Sequence, residues 1–186
     1  MNLCTEDLLG LRIGHGIDAH AFEAGRTLVL GGVEFEGHDG LAGHSDADVC
    51  VHALMDSLLS AAGMGDIGRI FPDSDAKYKD ASSLVLLGDV CSRLAKRGYI
   101  LINADIVIVC ESPVIASHIG RMRAKMAEHM KDICKGDVNL SIKGTTMEKM
   151  GFTGRQEGIL ATATCLLLNT NKSADQIGRA SCRERV

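Results

Sequence analysis

The stretch that decides the fold is residues 158–169, GILATATCLLLN, near the end of the chain. It begins at a glycine, is rich in Thr, Ala and Leu, and contains no proline, which together predict a strand. Its apolar residues Leu166-Leu167-Leu168 are consecutive instead of alternating with polar ones. Consecutive apolar residues indicate a strand that is buried on both faces. We therefore expect a sheet with helices on one face and other copies of the chain on the other.

Upstream of this strand, strand patterns alternate with helix patterns. Gly31-Gly32 between two short apolar runs predicts a tight hairpin turn, and Gly98 predicts the end of a helix. In chain order the predicted elements are a strand at 12–19, a hairpin of 27–30 with 33–35, a helix from a cap at Ser45 or Asp46 to about Gly63, an irregular loop at 65–75, a helix at 82–97, a strand at 99–109, a helix at 115–130, a strand at 137–143 and the strand at 158–169. This order predicts an α/β two-layer sandwich, a mixed sheet with helices on one face and the open face buried in a homotrimer.

The chain reads as a single domain over residues 12–171, since no linker, repeat or low-complexity segment interrupts it. Residues 1–11 are an N-terminal extension. Residues 172–186 follow the end of this domain, and within them residues 177–186 lack periodicity and resemble one reading frame of a common sequencing-adapter oligonucleotide. We interpret them as a disordered tail of artefactual origin.

Composition narrows the class of function. The formal net charge of the 186-residue chain is −4 and only 3% of its residues are aromatic, which argues against nucleic-acid and anionic-membrane partners. The seven cysteines form no C-x-x-C pair, and several lie in apolar runs, so we expect reduced, buried thiols in the cytoplasm. The N-terminus shows no secretory signal pattern, and no apolar run is long enough to span a bilayer.

Two short polar clusters are candidates for a metal site. Asp18 and His20 are two apart in a predicted strand, so both side chains point to the same face and can hold one ion. His52, in the following helix, can supply a third ligand. Two imidazoles and a carboxylate leave one coordination position open, as in catalytic zinc sites. The alternative is that these are ordinary surface or capping residues.

His52 also belongs to a polar ridge with Asp48 and Asp56, because the three are spaced by four along the helix. Either carboxylate is a candidate partner for the second nitrogen of a ligating imidazole. The alternative is the solvated face of an ordinary helix.

A second cluster covers residues 143–158, KGTTMEKMGFTGRQEG. Its hydroxyls, its glycines and their accessible backbone amides suit phosphate oxygens, and the carboxylate of Glu148 suits a hard cation such as Mg²⁺. The alternative is a turn made of turn-forming residues.

Four groups of residues occur together and in one order along the chain. They are Arg12-Ile13-Gly14-His15-Gly16-Ile17-Asp18-Ala19-His20, Gly43-His44-Ser45-Asp46-Ala47-Asp48, Gly65-Asp66-Ile67-Gly68 with Phe71-Pro72-Asp73, and Thr145-Thr146-Met147-Glu148-Lys149 with Gly151-Phe152-Thr153-Gly154-Arg155. On these motifs the chain resembles the 2-C-methyl-D-erythritol 2,4-cyclodiphosphate synthase family, over residues 12–171.

The resemblance implies a homotrimeric lyase of the non-mevalonate isoprenoid pathway, with active sites between neighbouring subunits. The substrate would be 4-diphosphocytidyl-2-C-methyl-D-erythritol 2-phosphate, whose 2-phosphate attacks the β-phosphorus and expels CMP. Because the nucleophile belongs to the substrate, catalysis rests on positioning and on charge stabilisation.

The resemblance also implies roles for individual residues. Asp18, His20 and His52 would hold Zn²⁺, Glu148 a second divalent ion, Mg²⁺ or Mn²⁺, and Asp56 would support the zinc ligands. Substrate and phosphate contacts would come from His44, Ser45, Asp66, Gly68, Thr145, Thr146, Phe152 and Arg155. The nucleotide pocket would comprise Cys110, Glu111, Ser112, Pro113, Val114, Ile115 and Ala116. Arg155 and Glu157 would lie near the threefold axis, with a structural role or a role in binding an isoprenoid phosphate.

Two positions depart from the family pattern. Val114 stands where lysine is frequent, and losing one charge-assisted phosphate contact costs about 1.5–3 kcal/mol. Gln156 stands where glycine is frequent. Two other functions stay open at this level: a zinc-dependent hydrolase of nucleotide diphosphates, and a non-catalytic trimeric protein that binds an isoprenoid phosphate.

Overall fold

The computed structural model describes residues 10–72 and 81–171. The predicted extension and tail lie almost wholly outside these residues. The strands are β1 Leu11–Leu30, β2 Val33–Leu41, β3 Tyr99–Val109, β4 Leu140–Thr145 and β5 Gly158–Asn169. The helices are α1 Val49–Ala61, α2 Ile67–Ile70, α3 Ser83–Lys96, α4 Ile119–His129 and α5 Gly151–Gly154, with 3₁₀ turns at Ala116–His118 and Lys131–Ile133.

The five strands form one mixed sheet in the order β2-β1-β5-β3-β4. All neighbours are antiparallel except β3 and β4, which are parallel. The long strand β1 pairs with β5 through its first half and with β2 through its second half. The predicted mixed α/β fold is confirmed, and β1 joins two segments that the sequence pattern separated.

Several predicted local features are confirmed and others are wrong. Gly31 and Gly32 have φ of 56° and 72°, as a tight hairpin turn requires, and Gly98 has φ of 76° after α3. The segment predicted to be an irregular loop contains the short helix α2. The helix predicted at 115–130 begins instead with a 3₁₀ turn, and β4 starts three residues later than predicted.

Helix α1 packs directly on β1 because two glycines of the strand have no side chain. A Cβ added at Gly14 would overlap the backbone oxygen of Ser57, and one added at Gly16 would overlap that of Ala53. This close approach puts the buried helix within side-chain reach of the residues that follow on β1. It brings His52 next to the Asp18 segment.

Among residues 10–72 and 81–171, the face of β1 opposite α1 is exposed. Ile13 is 76% exposed and Ile17 is 58% exposed, although both are large and apolar. Their strand neighbours Thr162 and Leu166 on β5 are only partly buried. Among the described residues, the sheet therefore has one face packed against helix α1 and one exposed face, on which Ile13 and Ile17 lie beside the polar His15, Thr162 and Thr164.

Within the described residues, no helix is both long and apolar enough to cross a membrane.

Candidate metal centre and adjoining cavity

The structure brings Asp18, His20 and His52 together, as predicted from their spacing. His20 Nε2 lies 3.1 Å from Asp18 Oδ2, and His52 Nδ1 lies 3.0 Å from the same oxygen. One atom from each residue falls within 4.8 Å of the others. Two ligands bound to one tetrahedral zinc ion lie about 3.3 Å apart, so this spacing and the donor set of two nitrogens and one oxygen fit such an ion. Among the described residues, these three form a group able to hold a metal.

The electrostatics of the group favour an anionic Asp18. Burial would raise the pKa of Asp18, but hydrogen bonds with His20 and His52 outweigh it and hold the pKa of this carboxyl well below its usual range. The hydrogen bond with Asp18 raises the pKa of His20, while burial opposes the rise. A carboxylate that stays ionised beside two imidazoles is suited to a divalent cation.

The second nitrogen of His52 contacts hydroxyl groups. His52 Nε2 lies 2.8 Å from Ser83 Oγ at the start of α3 and 3.3 Å from Ser45 Oγ. The predicted partners of this imidazole were Asp48 and Asp56, and neither carboxylate contacts Nε2. That part of the prediction is wrong, because the two carboxylates bind backbone N–H groups instead.

Asp48, and neither Ser45 nor Asp46, caps helix α1. Its Oδ1 accepts hydrogen bonds from the backbone N–H groups of Cys50 and Val51, both at 3.1 Å. The same carboxylate accepts from Gly31 and Gly32 in the hairpin turn, at 2.9 and 2.7 Å. Burial raises the pKa of Asp48 to about 6, opposed by these backbone N–H groups. Through these four hydrogen bonds Asp48 ties the hairpin to the helix that carries His52.

Asp56 holds the segment that contains Asp66 and Gly68. Its Oδ1 accepts a hydrogen bond of 2.8 Å from the Ile67 backbone N–H, and Asp66 caps α2 through Arg69 N at 2.9 Å. Burial raises the pKa of Asp56. Asp66 and Gly68 are thus exposed next to the helix that carries His52, while support of the zinc ligands by Asp56 stays a prediction.

The segment with His44 and Ser45 is held by Arg26, a residue that the sequence analysis missed. The guanidinium donates to the backbone oxygens of Gly43 at 2.7 Å and Ser45 at 2.6 Å. These bonds flank His44, which is exposed. The role of Arg26 could not be predicted from local sequence, because the carbonyl groups that it binds are 17 and 19 residues away.

We expect Arg26→Ala to loosen this segment. Each charge-assisted hydrogen bond contributes about 1.5–3 kcal/mol, so local opening around residues 42–46 should become about tenfold more frequent or more. Amide hydrogen exchange measured by mass spectrometry checks this. The control is Glu23→Ala, since the exposed Glu23 makes only a 3.6 Å ion pair with Arg26. Equal exchange in Arg26→Ala and wild-type protein would contradict the role given to Arg26.

The residues predicted for a nucleotide pocket line a real cavity. It has a volume of about 200 Å³ and lies between the end of β3 and the end of β4. Its lining contains Cys110, Glu111, Pro113, Val114, Ile115, Ala116, Ile119, Gly144, Thr145 and Thr146. Ser112 is absent from this lining and instead lies 3.5 Å from His38, while Ile119 and Gly144 are additions to the prediction. The structure thus joins two sequence segments that were predicted separately.

Glu148 lies on a strained turn that follows β4. Its φ is 51° and that of Lys149 is 65°, both in the left-handed region. Glu148 Oε1 accepts a hydrogen bond of 2.9 Å from Thr146 Oγ1, and Glu111 Oε1 accepts one of 3.0 Å from Lys149 N. The turn therefore presents the exposed Glu148 carboxylate beside the cavity, outside the Asp18 group.

Residues of helix α5 and of the turn that follows it are also exposed. Phe152 is 39% exposed, and Arg155 makes a bidentate ion pair with Glu157 at 2.8 and 3.1 Å. Gln156 has φ of 59°, which is the conformation that favours glycine. This backbone conformation is the physical reason why glycine suits position 156.

The metal group and the cavity lie at the same end of the sheet but on different strands. Asp18 pairs across to Ala161, Ala161 to Ile108, and Ile108 to Gly144, which lines the cavity. Three strand spacings separate β1 from β4, or about 14 Å. Within one chain, the two halves of the predicted site are therefore neighbours that do not touch.

Fold and site together define a class of protein: a mixed α/β protein with a three-ligand group that can hold a metal. More particularly, the chain belongs to the YgbB family, which matches residues 11–168.

Named relatives agree with this assignment. A 2-C-methyl-D-erythritol 2,4-cyclodiphosphate synthase of Haemophilus influenzae (strain 86-028NP) is 49% identical over 158 residues, covering 85% of this chain and 98% of its own length. The enzyme of the same name from Saccharophagus degradans is 51% identical over 157 residues, covering 84% and 99%. The solved Plasmodium falciparum IspF in complex with CDP is 30% identical, has a TM-score of 0.74 and covers 87% of this chain and 98% of its own.

Proposed function

We propose that this chain converts 4-diphosphocytidyl-2-C-methyl-D-erythritol 2-phosphate to 2-C-methyl-D-erythritol 2,4-cyclodiphosphate, with release of CMP, in the non-mevalonate isoprenoid pathway. The observation that carries the proposal is the convergence of His20 Nε2 and His52 Nδ1 on Asp18 Oδ2 in a member of the YgbB family. In the reaction a 2-phosphate oxygen bonds to the β-phosphorus, and the bond from that phosphorus to the oxygen bridging it to the α-phosphorus breaks. CMP leaves with the bridging oxygen.

The donor sets suit two kinds of ion. Asp18, His20 and His52 would hold Zn²⁺, because they combine imidazole and carboxylate ligands and leave a position open. Glu148 would hold Mg²⁺ or Mn²⁺, since an exposed carboxylate beside phosphates suits a hard cation. When bound, such ions neutralise charge on phosphate oxygens and orient the reacting groups.

The remaining residues bind and orient the substrate. The cavity lined by residues 110–116 and by Thr145 and Thr146 would take the cytidine and its phosphates, as the family relative with CDP suggests. His44 and Ser45 would contact phosphates from the segment held by Arg26, and Asp66 and Gly68 would contact the methylerythritol hydroxyls. Phe152 in helix α5 and Arg155 directly after it would contribute further contacts to the substrate. Val114 is 79% exposed at the cavity. Because valine is uncharged, it makes no charge-assisted contact with a phosphate there.

The separation between the metal group and the nucleotide cavity favours an active site shared between subunits. About 14 Å of sheet lies between the metal group and the cavity in one chain. The exposed side chains of Ile13 and Ile17 on the open face of β1 supply a reason to associate, since exposed apolar groups mark contact surfaces. We therefore propose a homotrimer in which this face is buried.

Trimer formation should depend on the apolar side chains of that face. We expect Ile13→Glu to sediment as a monomer in analytical ultracentrifugation at concentrations where the wild-type chain is a trimer, because three carboxylates would be buried. Val85→Glu is the matched control, since Val85 is 62% exposed on α3, away from the sheet face. A trimeric Ile13→Glu protein, or a monomeric wild-type protein, would contradict the proposed assembly.

The reaction is tested by its product. The purified chain is incubated with the diphosphocytidyl substrate, Zn²⁺ and Mg²⁺, and phosphorus NMR follows the reaction. A cyclic diphosphate that appears together with CMP supports the proposal. CMP with an open-chain phosphorylated polyol would show a hydrolase instead, and a zinc-loaded protein with no turnover would overturn the enzymatic proposal.

We also propose a cytoplasmic location. The five cysteines in the described residues are all free, and four of them are buried. Burial raises the pKa of the Cys91 thiol and lowers its reactivity. Reduced, buried thiols of this kind are typical of proteins in a reducing compartment.

A further inference from the structure

Ser83 links the ligand group to a residue outside it, because it contacts both His52 and Asp46. Ser83 is fully buried at the first position of α3. Its Oγ lies 2.8 Å from His52 Nε2 and is hydrogen-bonded to Asp46 Oδ1. Its backbone N–H donates to the other oxygen, Asp46 Oδ2, at 2.9 Å. The Asp46 carboxylate thus accepts from both the hydroxyl and the backbone N–H of Ser83.

The proton on the Ser83 hydroxyl has one possible direction in this arrangement. Both oxygens of Asp46 already accept backbone N–H groups, Oδ2 from Ser83 at 2.9 Å and Oδ1 from Asp48 at 3.4 Å, so Asp46 is the acceptor and the Ser83 hydroxyl is the donor. A hydroxyl has a single proton, and its oxygen must therefore accept from His52 Nε2. His52 Nε2–H then donates to Ser83, which leaves Nδ1 as the nitrogen that faces Asp18 Oδ2 at 3.0 Å and can bind a metal there in place of this hydrogen bond.

We propose that Asp46 and Ser83 are positioning residues, which hold His52 in the Nε2-protonated tautomer and aim its Nδ1 lone pair at the metal. The inference rests on the proposed metal site and deepens it. Ligating histidines commonly donate their other N–H to an acceptor, and loss of that acceptor weakens metal binding 10–100-fold. Here the acceptor is a hydroxyl, and the hydroxyl is itself oriented by a carboxylate 37 residues away in sequence.

Ser45 Oγ is a second oxygen near the same nitrogen, at 3.3 Å. It also accepts the Ala47 backbone N–H at 3.2 Å. The shorter contact and the fully buried setting make Ser83 the main acceptor. Ser45→Ala should therefore weaken zinc binding less than Ser83→Ala does.

The first test is zinc affinity, measured on purified, metal-free protein by competition with a fluorescent chelator. We expect Ser83→Ala to bind zinc 10–100-fold more weakly than the wild type. Asp46→Asn should show a smaller loss, because a neutral amide oxygen still accepts from the hydroxyl. Ser82→Ala is the matched control, since Ser82 is exposed and makes no capping hydrogen bond through its side chain. A folded Ser83→Ala protein with wild-type zinc affinity would overturn the inference.

The second test reads the tautomer and does not depend on how Ser83→Ala folds. Nitrogen-15 NMR of histidine-labelled, zinc-loaded wild-type protein should show His52 protonated at Nε2 and bound to zinc through Nδ1. A His52 that is protonated at Nδ1 would overturn the positioning role even if zinc binds. A wild-type chain that binds no zinc would overturn the metal site and, with it, this inference, whereas zinc binding with His52 protonated at Nδ1 would overturn this inference alone.

Discussion

His20→Ala is expected to abolish both metal binding and turnover. The substitution removes one of three ligand atoms and leaves Asp18 and His52, which alone form a weak bidentate site. Metal ions contribute several kcal/mol of charge stabilisation to phosphoryl transfer. A loss of about 4 kcal/mol corresponds to a fall in kcat of about a thousandfold. Bound zinc per chain, measured by atomic emission, should fall in parallel.

The control for this variant is His129→Ala. His129 lies at the end of α4, away from the Asp18 group. We expect this variant to keep its zinc and its turnover. If His20→Ala kept full zinc occupancy and a rate within a few-fold of the wild type, the assignment of the metal ligands would be wrong.

Asp48→Ala is expected to have the largest effect on stability. The fully buried Asp48 carboxylate accepts four backbone hydrogen bonds, two from the hairpin turn and two from the first turn of α1. Loss of a helix cap costs about 0.5–2 kcal/mol, and each buried N–H left unpaired costs about 1–3 kcal/mol. We expect the free energy of unfolding to fall by about 3–5 kcal/mol. Since each kcal/mol shifts Tm by about 2–4 °C in chains of this size, Tm should fall by about 6–20 °C.

Thermal unfolding followed by circular dichroism measures this change. Asp39→Ala is the control, because Asp39 is an exposed aspartate on β2, and surface substitutions usually change stability by less than about 0.5 kcal/mol. A Tm for Asp48→Ala that stays within 2 °C of the control would show that the hairpin and the helix do not depend on this carboxylate.

The metal group and the cavity of the proposed site depend on different contacts within the fold. The metal group depends on the contact between β1 and α1, which the glycines at 14 and 16 permit. The cavity depends on the parallel pairing of β3 with β4, which brings the ends of both strands together. A substitution at the β1–α1 contact should therefore affect the metal group first, and one at the β3–β4 pairing should affect the cavity first. The proposed trimer would combine the metal group of one subunit with the cavity of another.

The sequence by itself determined the local features of this protein. Asp18 and His20 could be predicted as a pair because strand geometry alone puts residues two apart on one face. The turn at Gly31-Gly32 could be predicted because positive φ is a property of single residues. The strands β3 and β5 were predicted with their correct bounds, since long apolar runs carry a strong signal.

The tertiary structure alone decided the partners of these residues. Asp48 was predicted as a candidate partner of the His52 imidazole, with a solvated helix face as the alternative. It is instead fully buried, and its carboxylate accepts backbone N–H groups of two elements at once. Ser83 gave no signal, since the imidazole that it contacts is 31 residues away. Arg26 was missed for the same reason. Hydrogen bonds between distant segments depend on how elements pack, and packing is a property of the whole fold that no local spacing encodes.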